Sequence, residues 1–268
     1  MNDLIHAQLE KYPDQYLLAY IDVLGTNERI SKYNLSSYVA STLYEIKEFF
    51  TEQQQKKDSP NNQENLEAFI FSDTLVFFIK VPENAINVYL FNFCDAILHT
   101  QSALFNMKIF SRGAITHGDF FIDTTRNIFF GPAFSRAYVL EQKFSKYPRI
   151  ILDPSVFDKN NYSVNSILQT LPPEVQRQQQ LELSNFWTNR IKVDVDNFAY
   201  IDYFTDDANI TTSEKEIWNN YPFINPSDGI TELSPTQLSI QEKYSWMIDK
   251  LKQRETPLQD NHINSQQS

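Results

Sequence analysis

Apolar residues run in strand-length blocks along the first half of the chain. Two of these, Leu17-Leu18-Ala19-Tyr20-Ile21 and Ala68-Phe69-Ile70-Phe71, run into an aspartate: Asp22 directly, Asp73 after one serine. Their length and aromatic and aliphatic content predict a strand over 16–23, closed by Leu24-Gly25-Thr26-Asn27. Leu35, Val39, Leu43, Ile46 and Phe50 recur at helical spacing and predict a helix next. Residues 53–64, rich in Gln, Lys, Asn and Asp, read as an exposed loop of low complexity. Two strands over 66–71 and 74–81 follow, joined through Ser72-Asp73 as a tight hairpin. A helix over 84–105 presents Ile86, Tyr89, Leu90, Phe93, Ile97 and Leu98 on one face.

Beyond it the pattern predicts a strand over 108–116, a turn at His117-Gly118-Asp119 and a return strand over 120–123. Ile128-Phe129-Phe130 ends at Gly131-Pro132, a helix spans 133–143 and a further strand 149–153. The order β-α-β-β-α-β-β-α-β implies an α/β (α+β) sandwich, a mixed sheet with helices covering one face. After Asp158 the pattern loosens: 174–183 and 241–254 read as helices and 197–204 as a strand. The expected organisation is a core over 1–158, an elaboration of the same domain over 159–258 and a disordered tail over 259–268.

Length and charge narrow the classes. A chain of 268 residues can bury a sizeable core, and 21 Phe with 14 Tyr make that core bulky. A net charge of -11 argues against a general nucleic-acid coat or an anionic membrane surface, while a single nucleotide stays compatible. No apolar stretch is long enough for a transmembrane helix, and Met1-Asn2-Asp3-Leu4-Ile5-His6 lacks the pattern of a signal peptide. One cysteine, Cys94, excludes an internal disulfide and any Cys-based zinc cluster, and reads as a core thiol. A cytoplasmic location is expected.

The two aspartates carry the candidate chemistry. An apolar strand end expels a lone carboxylate, and two on neighbouring strands repel each other unless a divalent ion lies between them. Asp22 and Asp73, with the backbone carbonyl of Val23, form an oxygen-only ligand set of the kind that holds Mg²⁺ or Mn²⁺. The amides of Gly25, Thr26 and Asn27, at a helix start, are placed to cradle phosphates. The plainer alternative is that Asp22 caps the following helix and Asp73 is a turn residue. His117 and Asp119 read as turn residues and Arg149 as the start of a strand. Asp194 and Asp196 alternate like Ca²⁺ ligands but lack the loop glycine and closing Glu. The chain has no P-loop or dinucleotide fingerprint and no Ser-His-Asp order.

Four segments in order resemble the class III nucleotidyl cyclase catalytic domain, which is related in fold to palm-type polymerases. They are Tyr20-Ile21-Asp22-Val23-Leu24-Gly25, Ser72-Asp73, Arg112-Gly113-Ala114-Ile115-Thr116-His117-Gly118 and 130–141 from Phe130 to Glu141. The likeness covers about residues 16–155. That family places Asn and Arg on the last helix, where this chain has Ser135 and Val139. Arg136 falls one residue from the Asn position, about a hundred degrees round the helix. The purine-selecting positions are Phe69 and Ile128, which removes ordinary purine recognition. Metal acids kept beside a changed base pocket make the chain most similar to the pyrimidine cyclases of bacterial Pycsar antiphage systems.

The resemblance implies conversion of UTP, or alternatively CTP, to the 3′,5′-cyclic monophosphate and pyrophosphate, with two Mn²⁺ or Mg²⁺ ions per site. It implies metal ligation by Asp22, Val23 and Asp73, and nucleotide contacts from Gly25, Thr26, Phe69, Arg112 and Ser135. It further implies a homodimer with composite sites, using a patch around Phe129, Phe130 and Phe134, and a cyclic-nucleotide-activated effector downstream. Neither DNA, RNA nor a membrane is an expected partner. The alternative is a catalytically inactive cyclase-like module that binds a nucleotide or a protein.

Overall fold

The computed structural model describes residues 14–25, 66–81, 86–123, 128–157, 188–204 and 234–255. Positions 41, 44, 48, 126, 177, 213, 215 and 217 are described singly. The loop expected over 53–64 and the tail over 259–268 lie outside these residues. Of the helices expected after Gly25 and over 174–183, Ser41, Tyr44, Glu48 and Arg177 are described, and all four are helical.

The framework is a seven-stranded sheet in the order β2-β3-β1-β4-β7-β9-β8. Its centre is β1 (Gln15–Val23), antiparallel both to β3 (Thr74–Lys80) and to β4 (Ser111–Asp119). β2 (Glu67–Phe71) pairs with β3 through the expected hairpin, where Ser72 takes a left-handed backbone with φ of 56°. β7 (Ile150–Leu152) lies parallel to β4, and β9 (Ala199–Ile201) and β8 (Ile191–Val193) extend the sheet beyond it. The order β2-β3-β1-β4 is that of a split β-α-β unit, the two central strands lying between the hairpin's outer strand and the strand after the helix.

Both faces of the sheet are covered, rather than the single face expected. The period of two along β1 shows why. Leu17, Ala19, Ile21 and Val23 pack in one core with Leu90, Phe93, Cys94 and Ile97 of α1 (Ile86–Asn106). Leu18 faces the other way, into a smaller core with Val76, Phe78, Phe120 and the small residues Ala133 and Ala137 of α2 (Pro132–Lys143). Tyr20 follows Leu18 and packs edge-on against Phe134 and Tyr138 of α2, at 5.7 and 5.6 Å between ring centroids. Asp22 is next in this row, so α2 lies over the face that carries the acid.

Two further expectations are corrected here. His117, Gly118 and Asp119 are the last residues of β4, not a turn, because nine-residue β1 stays in register from Val23↔Ser111 to Gln15↔Asp119. That ladder outweighs the local turn chemistry of His-Gly-Asp. The chain turns at Phe120 instead, whose ring is buried in the smaller core. The segment after it, β5 (Phe121–Asp123), does not return along β4 but pairs with β6 (Ile128–Phe130) as a separate ribbon.

Two glycines make this packing possible. A Cβ at Gly113 would lie 2.4 Å from the backbone oxygen of Tyr20, so β4 approaches β1 more closely than any side chain permits. At Gly131, with φ of 148°, a Cβ would meet the oxygen of Asp119 at 2.6 Å just where the chain enters α2.

The C-terminal part joins the same core. Tyr244, Trp246, Met247, Ile248 and Leu251 of α3 (Pro235–Glu255) are buried in the cluster that contains α1 and β1. Among the described residues no helix is long and apolar enough to cross a membrane.

Candidate functional site

Asp22 and Asp73 come together at one end of the sheet. Asp22 is the penultimate residue of β1, opposite Thr74 on β3 and Arg112 on β4. Asp73 sits in the β2–β3 turn, and its backbone oxygen accepts a 2.9 Å hydrogen bond from the amide of Val23. The next residue, Leu24, donates its amide to the oxygen of Phe110 at 2.7 Å. The strand end is thus held on both sides, and the two carboxylates belong to backbone segments bonded to each other.

Three charged groups complete the cluster. Arg112 Nε lies 2.7 Å from Glu141 Oε1 and 3.8 Å from Asp22 Oδ2. Glu141 reaches this point from α2 with its side chain wholly buried, on the helix face that also carries Ala133, Ala137 and Leu140. Lys243, on α3, has Arg112, Asp22 and Glu141 as its electrostatic partners.

These surroundings set the proton affinities. Burial, followed by the charge of Glu141, pushes the Asp22 carboxyl up to about 6; Asp73 raises it further, while Arg112 and Lys243 oppose. Burial also raises Glu141, against the pull of Arg112. Lys243 is lowered, first by burial and then by Arg112. A carboxylate with an elevated pKa, two acidic neighbours and a guanidinium engaged mainly elsewhere is short of positive charge.

A divalent ion fits that deficit. The donors are oxygen only, as Mg²⁺ and Mn²⁺ require, and two carboxylates leave the remaining positions for backbone oxygen, water and phosphate. Among the described residues no three His, Cys, Asp or Glu side chains gather round one point, so the chain supplies an open site rather than a closed cage.

The other expected residues are distributed around this centre. Gly25 is exposed, with φ of 74°, immediately after the strand end, while Thr26 and Asn27 lie outside the described residues. Phe69 is on β2, half-buried, its ring 4.3 Å from that of Phe129 in the smaller core. Ile128 is exposed on β6. Ser135 is exposed in the first turn of α2, off the face that carries Glu141. Cys94 is buried, as expected, and burial raises its thiol.

A second charged cluster settles Arg149, Asp194 and Asp196. Arg149 is fully buried, its guanidinium lies 5.2 and 5.3 Å from the ring centroids of Tyr147 and Tyr200, and it is paired with both aspartates. Trp246 Nε1 donates to Asp194 at 2.8 Å. The acids that alternate like Ca²⁺ ligands are therefore the counter-ions of a buried arginine.

Sequence reasoning missed Glu141 and Lys243. A carboxylate at the spacing of Ala133, Ala137 and Leu140 was a readable signal for Glu141, since charge on an apolar helix face demands a partner. Lys243 carried no such signal, because nothing local tells which way α3 faces.

Comparison by sequence finds no matching family model and no matching curated protein.

Proposed function

We propose that the chain is a nucleotidyl cyclase that converts a pyrimidine ribonucleoside triphosphate to its 3′,5′-cyclic monophosphate and pyrophosphate. UTP is favoured and CTP is the second choice. The observation that carries this reading is the pair Asp22 and Asp73 on mutually bonded strand ends, with Asp22 held in want of positive charge. Two divalent ions, Mn²⁺ or Mg²⁺, would be held by Asp22, Asp73 and the carbonyl of Val23. When bound they lower the pKa of the ribose 3′-hydroxyl and offset charge on the triphosphate.

The residues of the chain position the substrate. The turn at Gly25 offers backbone next to the acids where the β- and γ-phosphates would lie. The 3′-oxygen attacks the α-phosphorus, the bond to the β-phosphate breaks, and the hydroxyl proton passes to water. The aromatic surface of Phe69 and Phe129 supplies a stacking wall that by itself tolerates any base. The product would act as a second messenger in antiphage defence, read by a cyclic-nucleotide-activated effector.

A second reading, an inactive cyclase-like module that binds a nucleotide or a protein, draws support from Arg112. Its guanidinium stands 3.8 Å from Asp22, where it partly meets the same need as a metal. Incubation of the chain with each labelled ribonucleoside triphosphate and Mn²⁺, followed by separation of the products, distinguishes the two. Cyclic pyrimidine nucleotide is the expected product. Efficient cyclisation of ATP or GTP would refute the pyrimidine assignment, and no cyclic product from any triphosphate would favour the inactive module.

A further inference from the structure

The C-terminal helix brings a cation to the acid pair, and its placement rests on contacts at both ends of one face. Lys243, Trp246, Met247 and Lys250 are spaced i, i+3, i+4 and i+7, so they share a face of α3. At the Lys250 end, Trp246 donates to Asp194, and Lys250 Nζ lies 4.0 Å from the same carboxylate and 5.2 Å from the Tyr200 ring centroid. Asp194 is itself clamped by buried Arg149, and Tyr147 stacks on Trp246 at 5.8 Å with the rings nearly parallel. These contacts fix the rotation of the helix. One turn before Met247, Tyr244 packs edge-on against Phe110 at 5.4 Å, and the oxygen of Phe110 holds Leu24, two residues after Asp22. Lys243, about 10 Å along the helix from Lys250 by the helical rise, is thereby set beside Asp22, Arg112 and Glu141.

The two cations of the site are not equivalent. Arg112 is anchored on β4, its Nε against wholly buried Glu141 and its Nη1 near the oxygen of Ser145, so its role there is to hold acids in place. Lys243 is half-buried, on a long flexible stem, with an ammonium that behaves as a compact point charge. Once divalent ions neutralise Asp22 and Asp73, the attraction between Asp22 and Lys243 weakens, and a phosphate becomes the strongest anion in reach. On the reading of the site as a triphosphate site, we propose that Lys243 contacts the polyphosphate of the bound nucleotide, so that α3 completes the site within one chain. The last helix of the resembling family carries polar groups that this chain lacks at Ser135 and Val139, and α3 delivers a cation from elsewhere.

The test uses the full chain with Mn²⁺ and two probes, 3′-deoxy-UTP, which cannot cyclise, and UMP. Lys243→Met keeps the length of the stem and removes the charge; Lys243→Arg keeps the charge. The expected result is that Lys243→Met weakens 3′-deoxy-UTP about tenfold or more, the scale of one lost charge-assisted contact. UMP and Mn²⁺ affinities should change little, and Lys243→Arg should restore most of the triphosphate affinity. Equal loss for UMP and 3′-deoxy-UTP, or no loss for either, overturns the contact, and a purely structural role for Lys243 gives the same pattern with a lowered melting temperature. Should Lys243→Met fail to fold, Lys243→Gln gives the same comparison. If the unmutated chain binds UMP and 3′-deoxy-UTP no better with Mn²⁺ than without, the metal-nucleotide reading itself fails; normal binding with an indifferent Lys243 overturns this inference alone.

Discussion

At the scale of residues, the strongest claim concerns Asp22. Its folded pKa of about 6 exceeds the ordinary carboxylate value of 3.8, so the folded state holds the proton more tightly than the unfolded one. The stability it contributes is therefore greatest below about pH 4 and is lost as pH rises to about 6, amounting to about 3 kcal/mol at most. Asp22→Asn should raise the melting temperature of the metal-free chain at pH 7.5 and leave it nearly unchanged at pH 4. A variant equally or less stable at pH 7.5 would contradict the charge deficit. Mn²⁺ competes with the same proton, so its affinity should fall about tenfold per pH unit below about pH 6, read by electron paramagnetic resonance. Asp22 and Asp73 were legible because each interrupts an apolar run. Glu141 was half-legible from its helical face. Lys243 was not legible, since the partner of a charged residue on a remote helix depends on how that helix docks.

At the scale of elements, the hairpin, α1, α2 and β1 follow from periodicity and turn residues, and their bounds agree with expectation to within a few residues. What failed was the end of β4. Local turn chemistry at His117-Gly118-Asp119 competed with a nine-residue ladder on β1, and the ladder is a non-local pairing that no window of sequence reveals. Gly113 shows what the close approach of β1 and β4 requires. Gly113→Ala puts a methyl against the Tyr20 carbonyl and should cost about 2–3 kcal/mol, checked by urea unfolding. The contact between α3 and the sheet turns on Arg149, whose two aspartates come from the β8–β9 turn. Asp194→Ala removes one counter-ion of a fully buried guanidinium and should destabilise by about 3 kcal/mol or more. Amide exchange should quicken in β8, β9 and α3 and stay slow in β1. Uniform acceleration across the sheet would mean that this cluster does not act locally.

At the scale of the whole molecule, an aromatic surface remains on the side of the sheet that carries α2. Phe71 is 70% exposed, Phe130 53%, and Ile128 and Tyr138 are also open to solvent. A patch of this kind on the face of the acids suits a second copy of the chain, as the resemblance implies. Phe130→Asp should convert a micromolar dimer to a monomer in sedimentation velocity and remove cyclisation with it; a monomer that still cyclises a triphosphate would rule out composite sites. The central claim is that the acid pair at the end of β1 and the β2–β3 turn performs cyclisation, and it is tested most directly by following cyclic UMP and pyrophosphate from UTP with Mn²⁺ in the unmutated chain, Asp22→Ala and Asp73→Ala side by side. Equal amounts of the two products from the unmutated chain, and about a hundredth as much or less from either variant that still melts cooperatively, is the expected result. Cyclic UMP at near-normal rates from a folded Asp22→Ala or Asp73→Ala chain would contradict it.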